Sequence, residues 1–467
     1  MPKDPSTKPS LRNQQWKKGD PIPPPPDKLQ QCQFWLPRKL RYCQLIAKKT
    51  NRFCGEHMVA ANEENIEEGQ RRVPCPFDPS HSVIQKDLDI HKTKCNARPR
   101  SPEQHYALNV NTTLPLSTEE LAFQQGILSH KELKSQPWIA NIHLNELPKP
   151  DLDALIGKVQ AAYDAHVPSP ISKRVLSHPA IVTDGKSSKL IRHLHQQSSL
   201  LGHMRDCGML DDKSACFVEF GAGKGELSGH LKEALQEENG EATYVLIDRK
   251  NVRNKYDKIL LGKSAQTSIV QRVMIDIKDL HLGKIKSLLT DQEKKKKPVV
   301  CLSKHLCGSA TDITLKCLMN YVDEEKAAGN SCPVNGIIIA LCCHQMCRYE
   351  MYPNTNYLER IGLSKLEFDQ LCKMTSWAIC GRRNVTDDLE QEHALLLEDE
   401  KEDDNGGHYS GRHHEDREKI GYQCKRVLDA GRLDYLEQHG FKVHLVYYVD
   451  PTSTLENCAL IALPQLD

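Results

Sequence analysis

Val218-Glu219-Phe220-Gly221-Ala222-Gly223-Lys224-Gly225-Glu226-Leu227 is the stretch that decides how this chain folds. An apolar run, Cys216–Phe220, leads into three alternating glycines, and a helix-compatible segment follows. Glycine lets a backbone turn sharply between strand and helix and come close to a bound ligand. Outward from this turn, strand and helix patterns alternate. The predicted strands are Cys216–Phe220, Thr243–Asp248, Arg272–Ile277, Val299–Lys304 and Gly336–His344. That order implies a parallel sheet covered by helices. Phe441–Val449 and Asn457–Leu463 follow as a hairpin around Asp450-Pro451-Thr452-Ser453. The expectation is a seven-stranded α/β sheet with one antiparallel strand.

Class I methyltransferases have that Rossmann-like architecture. A lone Gly-x-Gly-x-Gly also suits nicotinamide cofactors. Glu219 before the glycines and the closing hairpin favour S-adenosyl-L-methionine. Asp248 ends the second strand, where a carboxylate can accept both ribose hydroxyls. Asp276 is placed for the adenine end. The predicted cofactor set is therefore Glu219, Gly221, Gly223, Gly225, Asp248 and Asp276.

Ligands of open α/β sheets bind beyond the carboxyl ends of the strands. Strands four and five end in Ser303-Lys304-His305-Leu306-Cys307-Gly308-Ser309-Ala310-Thr311-Asp312 and Leu341-Cys342-Cys343-His344-Gln345-Met346-Cys347-Arg348-Tyr349. The Asn/Asp-Pro-Pro-aromatic signature of base amino-group methylation is missing from strand four. Cys307 follows Leu306 rather than the proline common beside a nucleophilic cysteine. A ribose hydroxyl needs a group that orients it or takes its proton, and Lys304, His305 and His344 are the candidates. Lys304 has a second reading, as a phosphate partner. Cys301, Cys342 and Cys343 read as core thiols, while Cys307, His344 and Cys347 offer a third metal-ligand set. Further on, Lys425, Arg426 and Arg432 recur on one helix face beside Asp429, either gripping phosphates or merely solvated.

Upstream, Cys75, His81, His91 and Cys95 form C-x5-H-x9-H-x3-C, with His91 and Cys95 one helical turn apart. Thiolate and imidazole suit the corners of tetrahedral zinc. Pro74, Pro76 and Pro79 shape the first loop. Cys32, Cys43, Cys54 and His57 form a second ligand set, C-x10-C-x10-C-x2-H. Between them lie Phe34, Trp35, Arg38, Lys39, Arg41, Tyr42, Lys48, Lys49 and Arg52. Such cations neutralise phosphates and such rings stack on bases, although the rings can equally form the finger's own small core. Four protein ligands leave no open position, so both zinc ions are expected to be structural.

Charge supports an anionic partner at one end. Residues 1–110 carry 19 lysines and arginines against 12 acidic residues, and the remainder carries 44 against 50. No run approaches the roughly 18 apolar residues of a membrane helix, and no secretory signal opens the chain. With 18 cysteines and no such signal, metal ligands and buried thiols are expected rather than disulfides. These features predict an intracellular protein of cytoplasm, nucleus or both, with no evident obligatory protein partner. The predicted organisation is a disordered proline-rich tail over 1–31 and fingers over 32–57 and 75–95. A helical connector over 113–170 and a catalytic domain over 171–467 complete it. Within that domain Glu293-Lys294-Lys295-Lys296-Lys297 reads as a solvated loop and 398–418 as a flexible acidic insertion.

Taken in order, these elements resemble the eukaryotic tRNA 2'-O-methyltransferases that modify nucleotide 4 of the acceptor stem. The resemblance rests on both fingers, the glutamate-glycine loop, Ser-Lys-His-Leu-Cys-Gly-x-Ala-Thr-Asp, the Cys-Cys-His segment and Gly-Tyr-x-Cys-Lys-Arg, and spans about residues 30–465. It implies tRNA as partner and a ribose 2'-hydroxyl as acceptor, and leaves the proton acceptor undecided. Two rivals remain: a non-catalytic zinc-dependent RNA-binding protein on a degenerate methyltransferase scaffold, and a methyltransferase acting on protein.

Overall fold

The computed structural model describes residues 21–58 except 26, 27, 29, 37–39, 49, 50, 55 and 56; 71–95 except 78–80; 103–122 except 117, 119 and 120; 142–379 except 184–186, 237–241, 250, 251, 253–255, 262–267 and 290–295; and 407–465. Residues 1–20 of the predicted 1–31 tail, residues 59–70, residues 123–141 of the predicted connector, Arg38, Lys39, Lys49, Pro79, Glu293, Lys294, Lys295 and residues 398–406 of the predicted insertion lie outside them.

Two compact units divide the chain near residue 101. The first holds two small modules. One is the antiparallel pair β1 (Trp35–Leu36) and β2 (Arg41–Tyr42). The other pairs β3 (Arg72–Pro74) with β4 (Ser82–Ile84) and adds helix α1 (Leu88–Lys94). Helix α1 has no buried residue, so apolar packing cannot hold it to the hairpin.

The second unit is built on one sheet. Its strands are β5 (Ser172–Lys173), β6 (Cys216–Phe220), β7 (Thr243–Asp248), β8 (Ile269–Met274), β9 (Val299–Cys307), β10 (Val334–Cys342), β11 (Phe441–Tyr447) and β12 (Cys458–Pro464). They lie in the order β5-β11-β12-β10-β9-β6-β7-β8, with β12 antiparallel to both neighbours. The seven expected strands are present, and the two-residue β5 adds an eighth along β11.

Helices cover both faces: α2 (Lys149–His166), α3 (Ser188–Asp206), α4 (Glu226–Leu235), α5 (Asp257–Leu261), α6 (Ser309–Ala327), α7 (Thr355–Arg360), α8 (Lys365–Met374) and α9 (His414–Gln438). Alternation along β6 shows the two-sided burial. Cys216, Val218 and Phe220 face one core with Ile313 and Leu318 of α6, while Phe217 faces the other with Leu201 of α3 and Leu231 of α4. A third core joins α2, α8 and α9 through Leu155, Val159, Leu371, Val427 and Leu428. Each such buried side chain is worth about 1.5–3 kcal/mol.

Three expectations change locally. The third strand ends at Met274 rather than Ile277, because Asp276 accepts the Lys278 N–H at 3.2 Å and turns the chain out of the ladder. The lysine run is not wholly solvated. Lys296 pairs with Glu325 and lies over the Tyr321 ring, and Lys297 donates to Thr243 Oγ1 at 2.8 Å. The predicted flexible insertion gives way to ordered structure from 407 onward: His408 and Ser410 are buried, and α9 begins at His414.

Candidate cofactor crevice and zinc modules

The two finger motifs each converge. In the second, Cys75 Sγ lies 3.6 Å from Cys95 Sγ and 3.3 Å from His91 Nε2. His81 Nε2 lies 3.2 Å from His91 Nε2 and 3.6 Å from Cys95 Sγ. Zinc bonds of about 2.3 Å to sulfur and 2.0 Å to nitrogen make tetrahedron edges of roughly 3.3–3.8 Å. The four donors therefore already outline a zinc tetrahedron. In the first module, Cys43 and Cys54 Sγ lie 4.0 Å apart, and His57 Nδ1 lies 3.5 Å from Cys32 Sγ and 3.3 Å from Cys54 Sγ. Phe34 stacks on the His57 ring at 4.2 Å and packs edge-on against Phe53, so part of the expected base-stacking surface is the module's own core.

With so little apolar burial, metal binding carries the folding free energy, on the order of 10–16 kcal/mol for such peptides. Cys75→Ser is expected to release one zinc ion and to leave amides 71–95 exchanging like an unfolded peptide. Native mass spectrometry and hydrogen exchange check both; slow exchange without the metal would refute the assignment.

The glycine turn leaves β6 and enters α4. Gly221 has φ +67°, and a side chain there would meet the His305 carbonyl oxygen at 2.8 Å. Gly225 has φ +76°, with Leu246 Cδ2 2.6 Å from where a side chain would begin. Both positions therefore exclude side chains on two counts. Asp248, closing β7, accepts the Gly223 N–H at 2.8 Å. Arg272 of β8 donates to the Gly223 carbonyl at 2.8 Å and is itself held by Asp257 at 2.8 Å. Glu219 points to the opposite side of β6 from Val218 and accepts from both the backbone and the hydroxyl of Ser228. Burial raises its carboxyl to about 7, against the Ser228 donors and the pull of Arg272 and Lys304. It thus anchors the first turn of α4 under the loop. Asp276 stands past the end of β8, paired with Arg249 at 3.7 Å. This turn, with a carboxylate at the end of the neighbouring strand, fits an adenosine cofactor lying over the carboxyl ends of the strands.

Strand β9 supplies the opposite wall. The β6–β9 ladder ends at Glu219 and Leu302, and Ser303 Oγ replaces it with a 2.8 Å bond to the Phe220 carbonyl. Beyond that point the β6–β9 ladder is replaced by close approach of β9 to the glycine turn, with the His305 carbonyl oxygen against Gly221. Lys304 follows, its Nζ 3.2 Å from His193 Nδ1 of α3. Burial lowers its amino group to about 8, against the attraction of Glu226 and Glu219. His305 is exposed.

His344 is elsewhere. It is 0% exposed, and its Nε2 lies 2.8 Å from Asp429 Oδ1 of α9. Burial lowers its imidazole pKa, against the pull of Asp429. No solvent or substrate reaches it in this state. The expected phosphate grip is likewise inside the protein. Lys425, Arg426 and Arg432 are 1%, 4% and 1% exposed. Arg432 donates to Asp312 at 2.8 Å, Asp429 at 2.9 Å and Cys347 Sγ at 3.1 Å. Arg426 pairs with Asp429 at 3.0 Å, and Lys425 with Glu456 at 2.7 Å. Burial alone would raise Asp429; His344, Arg426 and Arg432 hold it well below the usual carboxylate range. A helix buried on most sides takes its cations inward only with partners, and this helix has them. The knot ties three separate motifs together: the first turn of α6 through Asp312, the segment after β10 through His344 and Cys347, and α9.

Arg272, Asp257, Ser228 and His193 were not among the expected site residues. Each acts from a different element, and nothing in its local spacing marks it.

A family model described as "Methyltransferase TRM13" matches residues 195–463. Models for "CCCH zinc finger in TRM13 protein" and "U11-48K-like CHHC zinc finger" match residues 30–58 and 72–96. The tRNA:m(4)X modification enzyme TRM13 homolog of Mus musculus is 32% identical, over 93% of this chain and 94% of the relative. The one from Homo sapiens is 33% identical, over 93% and 94%. The Schizosaccharomyces pombe tRNA:m(4)X modification enzyme TRM13 is 34% identical, over 86% of this chain and 98% of its own length.

Proposed function

Because this chain belongs to the TRM13 methyltransferase family, we propose that it transfers a methyl group to the ribose 2'-hydroxyl of nucleotide 4 in the tRNA acceptor stem. The observation that carries the reading is the glycine turn at 221–225, fastened by Asp248 and Arg272. S-adenosyl-L-methionine, when bound there, supplies a methyl carried on a positive sulfonium. Glu219, Gly221, Gly223, Gly225, Asp248 and Asp276 would hold it, Asp248 through the sugar hydroxyls and Asp276 at the adenine end. The protein's remaining task is alignment, worth roughly 7–11 kcal/mol, and removal of one proton.

Lys304 is the group we assign to that proton. It borders the crevice on β9, and its amino group has been brought near 8 by burial, so a basic fraction exists at neutral pH. A neighbouring sulfonium cation would lower it further. The neutral form grows as pH rises, so the methyl-transfer rate should climb through the amine's midpoint, about 8 in the free protein and lower beside the sulfonium, and level off above it. Lys304→Arg stays protonated throughout and should lose most turnover with cofactor affinity kept. An unchanged pH profile in that variant would remove Lys304 from the role. His305 is exposed at the same strand end and is the second choice.

The zinc modules would hold tRNA, drawing on the basic charge of the first 110 residues. Among the described residues, no helix is long and apolar enough to cross a membrane. The decisive assay incubates the purified chain with S-adenosyl-L-methionine and total tRNA, then maps modified nucleosides. Methylation at the nucleotide 4 ribose is expected. Cofactor binding without transfer to tRNA would favour the scaffold reading, and transfer that survives nuclease would favour a protein substrate.

A further inference from the structure

A third group of soft ligands lies in the second unit, apart from both zinc modules. Cys307 ends β9, Cys342 ends β10, and Cys343 comes next. β9 and β10 are parallel neighbours in which Cys342 is the partner of Cys307, so strand register alone brings their thiols to one level. Cys307 Sγ lies 3.8 Å from Cys342 Sγ and 3.3 Å from Cys343 Sγ. All three sulfurs fall within 4.8 Å of one another. Among the described residues, the groups that converge this way are the two zinc modules and this one.

The surrounding backbone is shaped around the cluster. Cys343 has φ +51°, a left-handed conformation that costs a residue with a Cβ about 1–2 kcal/mol. Strain of this kind persists where neighbours fix it, and it gathers at ligand clamps. Gly308, the residue after Cys307, sits against the backbone of Met346 so closely that any side chain would collide with it. The loops after β9 and β10 are thus locked at one point, with the three sulfurs beside it. The Cys307–Cys342 spacing of 3.8 Å matches the roughly 3.8 Å sulfur–sulfur edge of a metal tetrahedron, the Cys307–Cys343 spacing of 3.3 Å is somewhat shorter than that edge, and both greatly exceed the roughly 2.05 Å of a disulfide. The ligand set anticipated from sequence was different. His344 is committed to Asp429, and Cys347 to Arg432.

We propose that Cys307, Cys342 and Cys343 form a third metal site, taking a soft divalent cation, Zn2+ in this zinc-binding chain, through three thiolates. Each thiol gives its proton to solvent as its sulfur bonds the metal. Cys307 is exposed, so the fourth position opens to water. The metal braces the loop after β9 against the loop after β10, and thereby positions Lys304 and His305 without touching substrate. The site stands independently of the methyl-transfer reading.

Native mass spectrometry of the full chain, prepared with zinc and a phosphine reductant, tests it. Three zinc ions per wild-type chain are expected, and two in Cys307→Ser. Cys307 is at the surface, so that variant should keep its fold; circular dichroism verifies this, and Cys343→Ala gives a second reading. Cobalt substitution should show sulfur-to-metal charge-transfer absorption that drops in both variants. Two zinc ions in the wild type would overturn the proposal. So would three retained by Cys307→Ser. None of these outcomes depends on whether tRNA is methylated.

Discussion

Asp248→Ala is expected to weaken S-adenosyl-L-methionine binding about 100-fold. Two hydroxyl hydrogen bonds to an ionised carboxylate contribute about 1.5–3 kcal/mol each, and losing a net 3 kcal/mol costs roughly two decades of affinity. The variant also removes the acceptor of the Gly223 N–H, so the turn loses one of its two fastenings and keeps the other through Arg272. The fold should survive, since Asp248 is only partly buried at the strand end. Titration calorimetry measures the affinity, and a melting curve verifies the fold. An affinity within twofold of wild type would place the sugar elsewhere and undo the proposed pose.

Arg432→Leu is expected to strike stability instead. It leaves Asp312 without its cation and deprives Asp429 of one of three partners, all inside the protein. Breaking a buried ion pair costs about 3–5 kcal/mol, which in a domain of this size lowers the melting temperature by roughly 10 °C. Adding Asp312→Leu should recover part of the loss, because the stranded carboxylate is then removed as well. A surface phosphate contact predicts the reverse pattern: an unchanged melting temperature, and tRNA affinity that falls with a shallower salt dependence. That pattern would restore the expectation drawn from sequence.

The contrast shows what local sequence can convey. The glycine turn was legible because positive φ and close approach demand a residue type, as at Gly221 and Gly225. The finger ligands were legible because metal chemistry limits both residue and spacing. Strand boundaries shifted where a side chain such as Asp276 intervened in the ladder. Lys425, Arg426 and Arg432 read as a surface, either a phosphate grip or a solvated face, because charge usually marks one; two of their acidic partners, Asp312 and Glu456, come from other elements, and nothing local shows that Asp429 on the same helix is buried. Cys342 and Cys343 looked like core thiols because pairing with Cys307 depends on the register of two strands. Arg272 was invisible for the same reason: its value lies in reaching a loop two strands away.

The place of β12 in the sheet has a consequence for biosynthesis. Although it follows β11 in the chain, it sits between β10 and β11 and pairs with both. While the nascent polypeptide is still short of residue 458, the apolar edge of β10 has no neighbour on that side, and β11 has only the two-residue β5 to join. Unpaired edges of this kind invite association with other chains. The sheet therefore cannot close until β12 has emerged, and the β10 edge is what chaperones would have to shield until then.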